Sequence, residues 1–176
     1  MPERLATPRY CQQCGHYLVE RYVAEERRVR FKCEHCGFIH YMNPRVVASI
    51  IVEHDGRILL QLRAQEPRAG FWTFPGGFLE VGETVQQGAL RETKEEVGLE
   101  VKLDGLLGVY TRPDVGIVLV VFEATSPSGD AVIADPESRE LRWFAPHEIP
   151  WDRLGFPTTE SALRDWVAKH GGSGRS

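Results

Sequence analysis

The stretch Gly77–Leu99 constrains this chain more than any other: a glycine-bounded turn, a capped helix and a crowd of carboxylates follow one another within it. Thr84 followed by Gln87 has the spacing of a capping box, and Gly98 stands where a left-handed residue ends a helix. The spacing predicts a helix over Val85–Glu96. On that helix Glu92, Glu95 and Glu96 fall at i, i+3 and i+4, within one arc at roughly 100° per residue. Like charges so placed repel, and the arrangement gains nothing unless a cation lies among them. Leu90, Thr93 and Val97 lie on another arc, which can face a core.

Every cysteine of the chain sits near its start, as Cys11-x2-Cys14 and Cys33-x2-Cys36 with 18 residues between the pairs. Two such knuckles match the spacing of a zinc ribbon with four thiolate ligands. Disulfides or a redox pair are the competing readings, and a cytoplasmic default argues against lasting disulfides. Four sulfurs close a tetrahedron, so the expected zinc is structural, and His16, His35 and His40 are expected beside the site rather than in it. Leu18–Val23 and Arg28–Lys32 read as a hairpin between the knuckles. A segment this small has too little apolar substance to fold without its metal. The expected division is a ribbon over 1–40, a main domain over 41–170 and a flexible tail over 171–176.

Beyond the linker at His40–Pro44, Val46–Glu53 and Arg57–Arg63 read as a hairpin turning at His54-Asp55-Gly56. Phe71–Gly77 reads as one short strand running into the glycines. Val101–Thr111, Gly116–Ala124 and Glu137–Phe144 are further strands, 145–150 is a helical turn, and Phe156–His170 is a second helix. Strands interleaved with two helices predict an α/β fold with a mixed sheet between helices. At 176 residues and 42% apolar content the chain can bury a substantial core. No run of about 18 apolar residues predicts a membrane span, and no signal peptide is visible before Tyr10. The net charge of −4 offers no broad attraction to nucleic acid.

The order Gly77-x5-Glu83-x7-Arg91-Glu92-x2-Glu95-Glu96-x-Gly98-Leu99, approached through Trp72-x2-Pro75-Gly76-Gly77, resembles the signature of the Nudix hydrolases. Thr93 alone departs from it, standing where an aliphatic residue is preferred; its volume is close to that of Val and its hydroxyl can bond back into the helix. The resemblance implies an α/β/α sandwich and a hydrolase that uses Mg2+ or Mn2+. It implies Glu92 and Glu96 as principal metal ligands, Glu95 as a further ligand, the Gly76 carbonyl as a backbone ligand, and Arg91 as the residue that fixes the carboxylates, with Glu83 beside it. Glu137, six residues before Trp143, is the favoured general base and Glu140 the alternative. Gly76 and Gly77 allow close backbone approach to metal or phosphate. Arg63 and Arg112, with Arg45 and Arg68, are candidate diphosphate clamps, and Tyr110 and Phe78 are candidate stacking partners. Trp72 and Phe74 are expected in the core.

A zinc ribbon joined to such a domain resembles two groups. The NADH pyrophosphatases carry a Ser-Gln-Pro-Trp-Pro-Phe-Pro block that is absent here. The ADP-ribose or FAD pyrophosphatases are resembled through Ile39-His40-Tyr41-x-Asn43-Pro44 and Glu148-Ile149-Pro150-Trp151. The expected reaction is hydrolysis of a nucleoside diphosphate linked to another moiety, of the ADP-ribose, FAD or NADH type. Two rivals are a hydrolase of damaged nucleoside triphosphates and a nucleotide sensor or nucleic-acid-binding regulator. The ribbon itself has three open roles: binding nucleic acid, covering the substrate site, or making a homodimer contact.

Overall fold

The computed structural model describes residues 7–170, so the tail expected at 171–176 lies outside the described residues. The chain divides into two compact units, one running to Pro44 together with Asp114–Gly116, the other formed by Arg45–Pro113 and the chain from Ile117 onward.

In the first unit β1 (Leu18–Val23), β2 (Arg28–Cys33) and β3 (Ile39–His40) form an antiparallel sheet in that order. His40, read as the start of the linker, belongs to β3 and pairs with Phe31. The buried cluster here is Cys11, Leu18 and Cys33, backed by Cys14, Phe31 and Phe38, and Val23 at the end of β1 is buried as well. The sulfurs are therefore part of the core.

In the second unit β4 (Arg45–His54), β5 (Arg57–Arg63), β8 (Lys102–Arg112), β9 (Ile117–Thr125) and β10 (Ser138–Phe144) order as β10-β5-β4-β9-β8, with β6 (Trp72–Thr73) on β5 and β7 (Gly76–Phe78) on β4. β4 and β9 run parallel and the other pairs antiparallel, giving the mixed sheet. Alternate residues of the central strands serve opposite faces. Ala48, Ile50, Val52, Leu59 and Phe122 pack with Ala89 and Val97 of α1 (Val85–Val97). Ile51, Ile58, Leu60, Leu119 and Val121 pack with Ala162, Leu163 and Trp166 of α2 (Pro157–His170). Covered on both faces, β4 reads as a nearly continuous apolar run for that reason. Each fully buried aliphatic side chain contributes roughly 1.5–3 kcal/mol. The expected α/β/α sandwich is what these two cores build, with Trp72 and Phe74 buried in the second.

α1 forms where its caps place it. Thr84 Oγ1 accepts from the Gln87 amide at 3.2 Å, Gln87 Oε1 accepts from the Thr84 amide at 2.8 Å, and Gly98 closes the helix at φ +69°. Thr93 is fully buried and its hydroxyl donates to the Ala89 carbonyl at 2.9 Å, so its polar atom is satisfied within the helix. The approach to α1 differs from expectation. Phe71–Gly77 is not one strand but two short pieces, β6 and β7, interrupted at Phe74-Pro75, because proline has no amide to continue a ladder. The break moves the chain from β5 to β4 and seats Gly76 opposite Ser49.

Candidate metal and catalytic site

α1 carries its acidic face past β7, and Arg91 organises most of it. Its guanidinium grips Glu83 bidentately, through Nη2 at 2.7 Å and Nε at 3.1 Å, while Nη1 donates to Glu92 Oε1 at 2.7 Å and Glu95 Oε2 at 3.0 Å. Nη2 also donates to the Phe78 carbonyl at 3.2 Å. The repulsion expected along this arc is thus answered by an internal cation. The Arg91 hydrogen bonds, followed by the Glu80 backbone amide, hold the Glu83 carboxyl down at about 2, and Arg91 itself is held firmly protonated.

Glu96 points elsewhere. It is 8% exposed and accepts from the Gly76 amide at 2.7 Å. Burial pushes its carboxyl up to about 7, against the pull of the Gly76 amide and the Gln61 side chain, with the Glu92 and Glu137 charges adding to the rise. Burial likewise raises Glu92, which Arg91 opposes. Gly76 and Gly77 lack side chains for a local reason: a Cβ on Gly77 would fall inside the Glu92 carboxylate, and one on Gly76 would overlap the Ser49 hydroxyl.

This arrangement makes stability depend on pH. Glu96 keeps its proton to about 7 when folded but only to 4.5 ordinarily, so between those values the folded chain binds more protons. The metal-free protein should therefore lose stability through this group as pH rises from 4.5 to 7, by up to roughly 3 kcal/mol. Glu83 acts in the opposite sense: its contribution is present above 4.5 and lost as pH falls toward 2. Urea midpoints at pH 5 and 7.5 for the wild type and Glu96→Gln, both metal-free, check the first effect. The variant should show a smaller decline; an unchanged decline would contradict it.

The structure distributes the remaining candidates unevenly. Glu137 lies just outside β10, its amide donating to Asp135 Oδ1 at 2.7 Å and its carbonyl accepting from the Ala64 amide at 2.6 Å. Its charge acts on Glu96. Glu140 lies within β10, opposite Leu62. Arg63 ends β5 in register with Ser138, stacks over Phe156 at 5.4 Å and donates from Nε to the Pro67 carbonyl at 3.0 Å. Arg112 ends β8, the far edge strand of the sheet. Arg45 lies over Phe78 at 4.6 Å and Arg68 over Phe71 at 5.3 Å. Tyr110 packs into the α2 core and donates to Asp165 at 2.7 Å, away from the carboxylates of α1. Two residues that sequence reasoning passed over, Gln61 and Ser138, are buried and bonded to each other, the Ser138 hydroxyl donating to Gln61 Oε1 at 2.9 Å, and Gln61 acts on Glu96. The signal for Gln61 was a lone polar residue inside the apolar run Ile58–Leu62.

The second cluster is the cysteine set. All four are free thiols, with sulfur atoms within 4.8 Å of one another and three pairs at 3.4, 3.5 and 3.6 Å. A tetrahedral ion with Zn–S of about 2.3 Å sets its sulfurs about 3.8 Å apart, so the donor set fits. The Cys11 and Cys33 carbonyls accept from the Gly15 and Gly37 amides at 2.8 and 2.9 Å, and both glycines have φ near the left-handed region, +74° and +78°. The thiols titrate as a set: the Cys36 amide leads in lowering Cys33, whereas against the pull of the His16 amide burial and the neighbouring thiols raise Cys14, and Cys36 is raised as well. His16 and His35 stack outside the set at 3.7 Å. Among the described residues no other group of three or more acidic, histidine or cysteine side chains brings its ligand atoms that close. Glu92 and Glu95 are turned to Arg91 while Glu96 is turned to Gly76. These carboxylates are nonetheless hard oxygen donors on one rigid helix, which suits a divalent cation.

Residues 42–167 match the family model described as NUDIX domain, and residues 9–42 match the zinc-ribbon model described as Nudix N-terminal. The chain is 36% identical over 130 residues to an ADP-ribose pyrophosphatase of Methanocaldococcus jannaschii, covering 72% of this chain and 75% of that protein. It is 28% identical over 165 residues to the NAD-capped RNA hydrolase NudC of Haemophilus influenzae, covering 93% of this chain but only 60% of that protein's length. Among solved structures, a NUDIX hydrolase from Nitrosomonas europaea superposes with a TM-score of 0.87 at 35% identity, covering 94% of each chain.

Proposed function

The chain belongs to the Nudix hydrolase family, and from that premise we propose that it hydrolyses the pyrophosphate bond of a nucleoside diphosphate joined to another moiety. ADP-ribose, FAD and NADH exemplify the class, and the products are a nucleoside monophosphate and a phosphorylated partner. The observation that carries this reading is the acidic face of α1, with Glu83, Glu92 and Glu95 gathered by Arg91 and Glu96 held on the Gly76 amide.

In this reading Glu92, Glu95, Glu96 and the Gly76 carbonyl hold Mg2+, for which Mn2+ substitutes. The bound metal neutralises charge on the diphosphate and acidifies water. Arg91 and Glu83 keep the carboxylates in place, so losing either costs turnover through geometry. Glu137 takes the proton of the attacking water as one P–O bond of the diphosphate breaks. Its charge acts on Glu96 and it lies outside the strand, which supports that assignment over Glu140. Arg63 and Arg112, with Gly77, orient the phosphates. The four cysteines hold a structural zinc in a ribbon over 1–40, and residues 41–170 form the catalytic domain. The substrate is a small molecule, and the location is the cytoplasm.

The similarity to an ADP-ribose pyrophosphatase and the absence of the Ser-Gln-Pro-Trp-Pro-Phe-Pro block favour ADP-ribose or FAD over NADH. A panel of ADP-ribose, FAD, NADH, an NAD-capped oligonucleotide and oxidised nucleoside triphosphates, with Mg2+ and chromatographic product analysis, tests this. The highest kcat/KM should fall on a dinucleotide-type diphosphate and release a nucleoside monophosphate. Preference for a triphosphate with release of pyrophosphate would establish the first rival, and no turnover of any of them would favour the sensor.

A further inference from the structure

The guanidinium of Arg91 is taken up by Glu83, Glu92 and Glu95. Arg63, at the end of β5, is held in another way. Alternation along β5 sets Arg63 and Gln61 on the same face as Leu59, which packs with Ala89 and Val97 of α1. The arginine therefore leaves the sheet on the side that bears the acidic helix. Its backbone is fixed twice: its amide donates to the Phe71 carbonyl and its carbonyl accepts from the Gly70 amide, each at 2.9 Å. The next amide, that of Ala64, donates to the Glu137 carbonyl at 2.6 Å, so Arg63 adjoins the segment that carries the favoured base.

The side chain lies on the segment that precedes α2. Leu154 bridges in parallel to Trp72, and the Gly155 amide donates to the Trp72 carbonyl at 2.8 Å, which brings this segment beside β6. Arg63 Cδ lies 3.7 Å from where a Cβ on Gly155 would stand, so the bare backbone there leaves room for the arginine stem. Beyond it the guanidinium carbon lies over the Phe156 ring at 5.4 Å, and Nε donates to the Pro67 carbonyl at 3.0 Å. Phe156 is itself fixed: it precedes Pro157, which restricts its backbone, and its carbonyl accepts from the Glu160 amide at 3.1 Å in the first turn of α2. The ring face attracts the cation and the carbonyl orients its Nε edge. Neither contact uses Nη1 or Nη2, and among the described residues neither nitrogen has a hydrogen-bond or ion-pair partner. A guanidinium held in place with its fork open matches a pair of phosphate oxygens.

We infer that Phe156 is a positioning residue for Arg63, holding its guanidinium ready to take the diphosphate through Nη1 and Nη2. The inference rests on the reading of Arg63 as a phosphate contact given under Proposed function. Phe156 touches no phosphate; it acts through the arginine, by keeping a long side chain from the other rotamers open to it.

The test is the dissociation constant of α,β-methylene ADP-ribose, an analogue that cannot be cleaved between its phosphorus atoms, measured by calorimetry with Mg2+ on the full chain with the ribbon zinc in place. Arg63→Ala should raise it about 10- to 100-fold, through loss of charged hydrogen bonds. Phe156→Leu, which keeps an apolar side chain and removes the ring face, should raise it about three- to tenfold. Phe156→Tyr, which restores the ring, should return it to about the wild-type value. In the Arg63→Ala background Phe156→Leu should add nothing, because the two residues act as one unit, whereas a purely structural ring would cost the same in both backgrounds. With ADP-ribose itself, KM should rise in Phe156→Leu while kcat holds. Wild-type affinity in Phe156→Leu, or an equal further loss in the Arg63→Ala background, overturns the inference, and loss of affinity in Arg63→Ala then leaves the phosphate reading standing. Wild-type affinity in Arg63→Ala, or no binding by the wild type, removes the phosphate reading and the inference together. If Phe156→Leu does not fold, Phe156→Met carries the same comparison.

Discussion

Glu96→Gln abolishes Mg2+-dependent turnover, lowering kcat/KM on the order of 10³-fold, while the fold persists. The substitution keeps the shape of a side chain that is 8% exposed and seated on the Gly76 amide, so it removes a charge without opening a cavity. Packing around Thr93 and Val97 is untouched, and the cost falls on the reaction. Glu95 provides the contrast. Its side chain is 58% exposed and reaches Arg91 at 3.0 Å, so Glu95→Gln should cost less, about 10- to 100-fold. Steady-state rates over a range of Mg2+ concentrations, with thermal unfolding as the check on the fold, separate the two variants. Full activity in Glu96→Gln would remove this carboxylate from the metal site.

The second large effect lies in the ribbon. Among the described residues its buried side chains are Cys11, Leu18, Val23 and Cys33, which is too little apolar surface to hold three short strands together. Purified protein should carry about one zinc per chain, and its binding should supply most of the folding free energy of that unit, about 10–16 kcal/mol in comparable peptides. Cys33→Ala removes both a ligand and the centre of the core, and it should leave the ribbon unfolded. The second unit, with two cores of its own, should stay folded. Elemental analysis with limited proteolysis checks both statements: cleavage should concentrate between the knuckles in the variant and after strong chelation. A zinc-free wild type with a protease-resistant ribbon would contradict them.

What the sequence disclosed and what it withheld follow from how local each feature is. The ends of α1 were legible because Thr84, Gln87 and Gly98 act on their own neighbours, and the helix extends only one residue beyond the expected span. The cysteine cluster was legible because short knuckles impose their own turns. The strands of the sandwich were legible as short apolar runs bounded by turn residues, to within a residue or so at their ends. The split of 71–77 into β6 and β7 was not, since it depends on two different partner strands that no local pattern reveals. Nor was the division of labour on α1. The spacing groups Glu92, Glu95 and Glu96 on one arc, yet depth separates them: Glu95 meets solvent and Arg91, while Glu96 turns inward to Gly76. Gln61 and Ser138 come together from strands 77 residues apart, and only the sheet order, which sets β10 beside β5, makes them neighbours.

The central claim is that the α1 carboxylates support divalent-metal-dependent hydrolysis of a linked nucleoside diphosphate. Hydrolysis of ADP-ribose in 18O-labelled water, with Mg2+ added and with Mg2+ left out of a metal-depleted buffer while the ribbon zinc stays in place, tests it most directly. With Mg2+ the products should be AMP and ribose 5-phosphate, with 18O in one of the two phosphates, and without it no cleavage should occur. Cleavage that proceeds equally without a divalent cation, or a mixture with no AMP, would contradict the account.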